Sequence, residues 1–567
     1  MKYNIIIILA IFVFAACTDM NLNPLSEGSS ENWYSNENEM NMSLNDLYRE
    51  VFWPWDEDPS LNDNPWTDDW IRRNFLSSIS SATINGETGF VVSRWTNAYK
   101  AIARANTLLA NLNRAVGEIP QDNLNIYEAE ARFVRAAQYS MLISHYGDVV
   151  FYTEIMGLEE SFTRTKTAKN VILDAIYDDF DFAIEKLPLT RSGLNRATKG
   201  AALALKARIA LYMEDWALAR DAAKACMELN IYQLYPDYGT LFLSKTKKAN
   251  ETIFGIPRSV ALNSYLNTGW VRDITTRNVG GYGAKVPSWD LFCSYLCTDG
   301  LPIDESPLYN PRKPFENRDP RCAATIVEFQ TNHLGFMYQP HPDSITVWNF
   351  TTGKYQKNND TRSIAQYCSY NGLVLKKGVD GDWVDDLKSD PDKIIIRYAD
   401  VLLMYAEAKI ELAEIDQSVL DAINLVRARA YKAGLDEITK YPPVTITDQS
   451  YLRRIVHTER RMEFALEGLR YMDIIRWKLA EKVLNNDDFG MLDVADLRTK
   501  VVNQGLWFFP GIPEIDEDGI PDFTAMYATG LILRLADKSF DKTKQYLWPI
   551  PTVEILTNEN IEQNTGY

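Results

Sequence analysis

The chain has 567 residues, a formal net charge of -18 and a sequence pI near 4.9. A hydrophobic fraction of 46% is enough for a large core and excludes a mainly disordered chain. The acidic balance argues against nucleic acid as a partner and against adhesion to anionic lipid through a basic patch, since both need concentrated Lys and Arg.

Residues 1–16 read as a signal peptide: Lys2 gives a positive start, an apolar segment follows over 5–16, and Ala15-Ala16 close it. That segment is shorter than the roughly 20 residues a membrane span needs. Phe14-Ala15-Ala16-Cys17 resembles a bacterial lipobox, so Cys17 is expected to carry lipid and become the new N-terminus. A polar tether, 17–30, follows. Several acyl chains, each contributing about 0.8 kcal/mol per buried CH2, would moor the body without crossing the membrane. The other cysteines, 226, 293, 297, 322 and 368, are odd in number and read as small buried thiols. No His sits near Cys293 and Cys297 in sequence, which argues against zinc.

The body, 31–567, reads as mainly α, with a helical scaffold over about 90–230 and 394–482. Trp95, Tyr99, Ile102 and Asn106 step by three and four residues, the spacing of one helix face. Further helices are expected from Tyr127 to Gly147, over 168–187 and over 200–229, with Glu214-Asp215 breaking the last into two. Ala201, Ala202, Ala204, Ala207 and Ala210 bring small residues to helix crossings. Together with Trp216 they suggest tetratricopeptide-like repeats, the alternative being a generic bundle. The stretch 231–393 is rich in Gly, Pro, Asn and aromatics. It reads as an irregular, loop-rich insertion with a few short strands, 323–329 among them. Helical pattern returns over 394–408, 417–430 and 448–480, before a loop-rich tail, 483–567.

Several segments carry motifs in a fixed order. They are Glu128-Ala129-Glu130-Ala131-Arg132-Phe133-Val134-Arg135-Ala136, Arg397 to Ala408, and Asn424-Leu425-Val426-Arg427-Ala428-Arg429-Ala430. Then come Glu459 to Asp473 with Arg476-Trp477, then Trp548-Pro549-Ile550-Pro551, then the closing Gln563-Asn564-Thr565-Gly566-Tyr567. Together they resemble the RagB/SusD family of outer-membrane nutrient-binding lipoproteins. That resemblance implies a SusD-like α-α superhelix whose variable half carries the ligand site. It implies a body anchored to the cell outer membrane, facing the exterior, that binds an oligo- or polysaccharide. It further implies a SusC-like TonB-dependent barrel as partner, capped by the protein as a lid. Glu459, Arg460, Arg461, Glu463, Glu467, Arg470 and Asp473 recur at helical neighbour spacings and read as a structural charge network.

A sugar site needs aromatic faces and polar side chains. Two stretches could supply them. In the first, Trp53, Trp55, Trp66 and Trp70 lie in a polar, Pro-containing loop where four Trp are hard to bury together, with Arg73 and Asn74 beyond. The second holds Trp270, Arg272, Asn278 and Tyr282. The expected ligand contacts are Trp66, Trp70, Arg73, Asn74, Trp270, Arg272, Asn278 and Tyr282, while Trp289 is assigned to the core. The acids of 514–522 around Gly519 resemble part of a calcium loop but lack its closing Glu, so they read as a solvated turn. No nucleophile elbow, zinc-protease motif or phosphate loop occurs, and no catalytic residue, cofactor or metal is expected. The alternatives are a peptide or glycopeptide receptor of the same transporter class, and a secreted glycoside hydrolase with paired carboxylates.

Overall fold

A computed structural model describes residues 33–567 apart from 58–64, 74, 194, 267, 380 and 382–386. The principal helices are α1 (Glu37–Leu47), α2 (Gly89–Asn111), α3 (Gln121–Tyr146), α4 (Lys169–Lys186), α5 (Lys199–Tyr212) and α6 (Trp216–Met227). A short helix α7 (Thr268–Ile274) lies in the insertion. The scaffold resumes with α8 (Tyr398–Glu411), α9 (Gln417–Ala430), α10 (Gln449–Phe464) and α11 (Arg470–Arg476). Successive helices from α2 to α6 pack on one another, and α8 joins α6 to α9 and α10. The result is a chain of helix hairpins. The α2 face holds Trp95, Ile102 and Asn106 inside, as the spacing predicts, while the Tyr99 hydroxyl donates to the Val150 carbonyl at 2.7 Å.

Local chemistry sets the helix ends. Gly147 stops α3 with a φ of 76°, where a side chain would be strained. Glu214, at φ 62°, breaks α5 from α6, and the Asp215 carboxylate caps the α6 start. The alanines of α5 are wholly buried and let neighbouring helices approach closely. Among the described residues no helix is long and apolar enough to cross a membrane.

Eight strands matter to the site: β1 (Trp70–Arg72), β2 (Thr252–Ile256), β3 (Lys285–Pro287), β4 (Asn332–His333), β5 (Phe336–Met337), β6 (Thr346–Asn349), β7 (Lys354–Lys357) and β8 (Lys393–Arg397). β2 and β8 pair antiparallel, so the insertion leaves and re-enters the scaffold at one place. β4 to β7 form a four-stranded antiparallel sheet inside the insertion.

Three sequence expectations change. The run 394–396 is strand, not the start of a helix. Three consecutive isoleucines favour the extended backbone, and β2 supplies the partner. The span 448–480 is not continuous: it breaks at Leu466 and Gly468, both at positive φ. A Cβ on Gly468 would press against the Trp55 side chain. The stretch 323–329, read as strand, begins inside a short helix, Pro320–Thr325, whose first turn is capped by Asp319. The five described cysteines are free and buried, as expected of small apolar thiols.

The charge network of the motif helices is internal. Arg397, at the β8–α8 junction, donates to Glu251 and Glu463 at 2.6 Å and to both Glu467 oxygens at 2.7 Å. Arg460 pairs with Asp400 at 2.8 Å and Asp473 at 3.0 Å. Burial alone would raise the Glu463 carboxyl, but Arg429, Arg397 and Arg321 outweigh it and hold the group well below the usual carboxylate range. One arginine thus fastens both ends of the insertion to the α10–α11 corner.

Candidate functional site

The two stretches that sequence reasoning singled out meet in space. β1 pairs antiparallel with β3, Trp70 opposite Pro287 and Arg72 opposite Lys285. The scaffold positions this pair. Arg470 holds both Asp68 oxygens at 2.9 and 3.0 Å, and Arg461 reaches Asp68 at 2.7 Å. Burial would raise the Asp68 carboxyl, yet Arg461 and Arg470 hold it well below its ordinary value. The Ser288 N–H donates to the Asp69 carbonyl at 3.0 Å. The motif helices therefore anchor the residues that lead into β1 and follow β3.

Between α7 and β3, residues 275–284 form a braced loop. Its backbone N–H groups at Tyr282, Gly283 and Ala284 donate to the carbonyls of Arg272, Thr275 and Asp273 at 2.6, 2.9 and 2.8 Å. Gly281 has no room for a Cβ against Thr275. The Asn278 side-chain oxygen accepts the Asn359 N–H at 2.8 Å, and Asp360 accepts the Arg277 N–H at 2.6 Å. The 358–370 segment is thereby fastened to the loop. The Arg73 N–H donates to the Ala284 carbonyl at 2.9 Å. Its guanidinium donates to the carbonyls of Tyr282 and Tyr367 and lies 5.5 and 5.8 Å from the ring centres of Tyr367 and Tyr370.

This geometry assembles an aromatic face around Arg73. Phe75, Tyr282 and Tyr367 are 38%, 41% and 52% exposed, values that leave ring surface open to a ligand. Arg72 lies 5.1 Å over Phe75, and a niche of about 20 Å3, lined by Arg72, Arg73, Phe75, Gly283 and Tyr370, opens beside it. Solvent-facing aromatic rings flanked by guanidinium, amide and carbonyl groups can stack on pyranose faces and bond to hydroxyls.

The expected contact residues separate into groups. Arg73 and Tyr282 stand on this face. Arg272 and Asn278 are half-buried beneath it: the Arg272 Nε is buried without a partner, and Asn278 fastens the loop. Trp66 and Trp70 are a correction. Both are buried, at 0% and 2% exposure, and offer no ring face. Trp66 is wedged against Phe90, Tyr471 and Trp548 at 4.7, 5.5 and 5.3 Å, partners that lie far along the chain. Trp53 is also core, so the four tryptophans of that loop are not an exposed cluster. Trp270 belongs elsewhere: it packs beside Leu266, Val271 and Leu375 and lines a separate hollow of about 80 Å3 with Trp55 and Phe242. Asn74 and Cys17 lie outside the described residues. Trp289 is core, its indole N–H donating to the Asn371 carbonyl at 2.9 Å. Phe75, Tyr367 and Tyr370 were missed. The signal was present in Gln366-Tyr367-Cys368-Ser369-Tyr370-Asn371-Gly372, two tyrosines in a polar, glycine-closed setting like that of Tyr282.

Other features are internally satisfied. In the acidic turn, the Lys482 ammonium sits 2.7 and 2.5 Å from Asp516 and Asp518, where a cation would go. A cleft of about 390 Å3 beside it is crossed by the Arg454–Glu517 pair at 2.6 Å. His145 bonds to Asp56 at 2.9 Å, and His457 stacks on Trp477 at 3.6 Å. Burial pushes the His457 pKa down to about 3. Of the carboxylates at the aromatic face, Asp273 pairs with Lys285 at 3.7 Å and Asp360 is buried against the loop backbone.

Comparison with known proteins gives a consistent picture. A profile described as the SusD family matches residues 250–567, and one described as starch-binding associating with outer membrane matches residues 30–211. The chain is similar to SusD-like protein P2 of Formosa agariphila, 25% identical over the whole of both chains. It is 23% identical to a SusD-like protein of Bacteroides ovatus, over 83% of this chain and 82% of that one. Among solved structures it resembles a SusD-like carbohydrate binding protein from Bacteroides fragilis, with a TM-score of 0.75 and 27% identity over 93% of this chain and 99% of that one. A laminarin binding SusD-like protein shares the fold, with a TM-score of 0.60 and 20% identity over 94% and 100% of the two chains. With the motif helices, the chain-long similarity and the shared architecture in agreement, this chain belongs to the SusD family.

Proposed function

We propose that this protein captures a glycan on the face formed by Phe75, Tyr282, Tyr367 and Arg73 and passes it on without cleaving it. The observation that carries the reading is the gathering of exposed rings from three segments around Arg73: Tyr282 on the loop braced by backbone bonds, Tyr367 on the segment fastened to that loop, and Phe75 just after β1. A pre-organised aromatic face binds sugars without the cost of ordering loops. The names of similar proteins, carbohydrate binding and laminarin binding among them, support the same ligand class. On this reading Cys17 carries the lipid that holds the body on the outer membrane, facing outward. A SusC-like TonB-dependent barrel receives the cargo beneath it. The carboxylates of the face serve structure, since each is bonded within the fold.

A screen of the purified chain against immobilised polysaccharides tests this reading. Saturable binding without release of reducing ends is expected, together with fatty acid on Cys17 by mass spectrometry of the mature protein. Binding confined to peptides, or cleavage of a bound glycan, would sink it.

A further inference from the structure

We infer that the glycan recognised at this face is anionic, bearing carboxylate or sulfate groups; this rests on the glycan-binding reading above. Several scaffold arginines meet carboxylates: Arg94 meets Asp56, Arg135 meets Asp179, and Arg208 meets Asp400, whereas Arg318, deep in the insertion, is held by backbone carbonyls and rings. At the aromatic face, among the described residues, the Arg73 guanidinium meets two backbone carbonyls and two tyrosine rings. Arg277 donates its backbone N–H to Asp360, and its guanidinium charge also acts on that carboxylate, but among the described residues it lies in no close ion pair. Arg272, one turn away at the carbonyl that receives the Tyr282 N–H, keeps a buried Nε without a partner. Burial, and further down the order of causes the charge of Arg277, lowers the Arg73 pKa, so the two guanidinium groups feel each other.

The local acids do not offset this charge. Asp273 is engaged by Lys285. Asp360 is buried, accepts backbone N–H groups and feels the Arg277 charge, yet burial outweighs these and pushes it up to about 7. Half-buried cations without counterions are costly to hold. Guanidinium groups bind carboxylate and sulfate oxygens in paired, planar fashion, and the flanking rings take the sugar faces. A neutral glycan would use the rings and leave the cations unpaired.

The test uses the full chain with five immobilised polymers: polygalacturonate, dextran sulfate, unmodified dextran, laminarin and poly-L-glutamate. At least one of the two anionic polysaccharides should bind about tenfold or more tighter than dextran and laminarin. That binding should weaken steeply between about 0.05 and 0.5 M NaCl. Arg73→Gln and Arg277→Gln should each lose about tenfold on the anionic polymer, with the thermal midpoint as in the parent chain. The two anionic arms tell carboxylate from sulfate. Equal binding of neutral and anionic polysaccharides, unaffected by the arginine variants, overturns the anionic inference and leaves glycan capture standing. Binding to poly-L-glutamate alone, or to no polysaccharide, overturns both.

Discussion

The scaffold and the insertion use the same residue types in opposite ways. In the scaffold, arginine sits opposite carboxylate and tryptophan is enclosed: Arg397 meets three glutamates, and Trp66 and Trp548 face each other at 5.3 Å. At the aromatic face, among the described residues, Arg73 meets carbonyls and rings, and Tyr282 and Tyr367 stand open. A buried ion network fixes one geometry and a closed core leaves nothing to bind. Unspent cations and open rings are the groups left over for a ligand. The contrast teaches that composition alone does not locate a site in such a chain; satisfaction of each group does.

The largest effects should come from the scaffold. Arg397→Ala leaves Glu251, Glu463 and Glu467 buried without their shared cation, a change that costs about 3 to 5 kcal/mol. Urea unfolding would read it, and a loss below about 1 kcal/mol would mean the network is not what holds the insertion. Trp66→Ala removes a core ring and should cost about 3 to 5 kcal/mol. If it instead weakened glycan binding in a protein of unchanged stability, the division drawn above would fail.

Next comes pH. Burial pushes Glu57 up to about 8 and Asp360 up to about 7, so the folded chain keeps protons that the unfolded one releases near pH 4. That stabilisation is complete below the unfolded value and is lost as pH rises through about 7 to 8. Glu407 and Asp56 run the other way. Burial would raise them, but Arg476 in one case and His145 with Arg94 in the other hold both at about 2. Their contribution is present above the unfolded value and lost as pH falls toward 2. Unfolding free energy should therefore peak at mildly acidic pH, and Glu57→Gln should flatten the decline on the alkaline side. A steady rise up to pH 8 would contradict this assignment of protons.

The smallest expected effect is none. Because Lys482 fills the acidic turn, calcium and chelator should leave the melting temperature where it was. A reproducible rise with calcium would place a cation where the lysine now sits.

Much of the scaffold was legible because its signals are local. Helix-face spacing, alanine-rich crossings and charges at neighbour spacing all act within one or two turns. The pairing of β8 was not legible, since its partner β2 lies some 140 residues earlier and three isoleucines read equally as strand or helix. The proposed face was half legible. Both chain stretches were found because aromatics in polar loops stand out. Which rings face solvent was decided by distant residues: Trp548 and Tyr471 enclose Trp66, whereas Tyr367, 294 residues from Arg73, completes the open face.

The measurement that bears most directly on the account is glycan affinity of the Tyr282→Ala, Tyr367→Ala double variant, taken together with its thermal unfolding. Each exposed ring that stacks on sugar contributes about 0.5 to 1.5 kcal/mol, so affinity should fall by about tenfold or more while the melting curve overlays that of the parent chain. Full affinity in a normally folded double variant would contradict the assignment of ligand capture to this face.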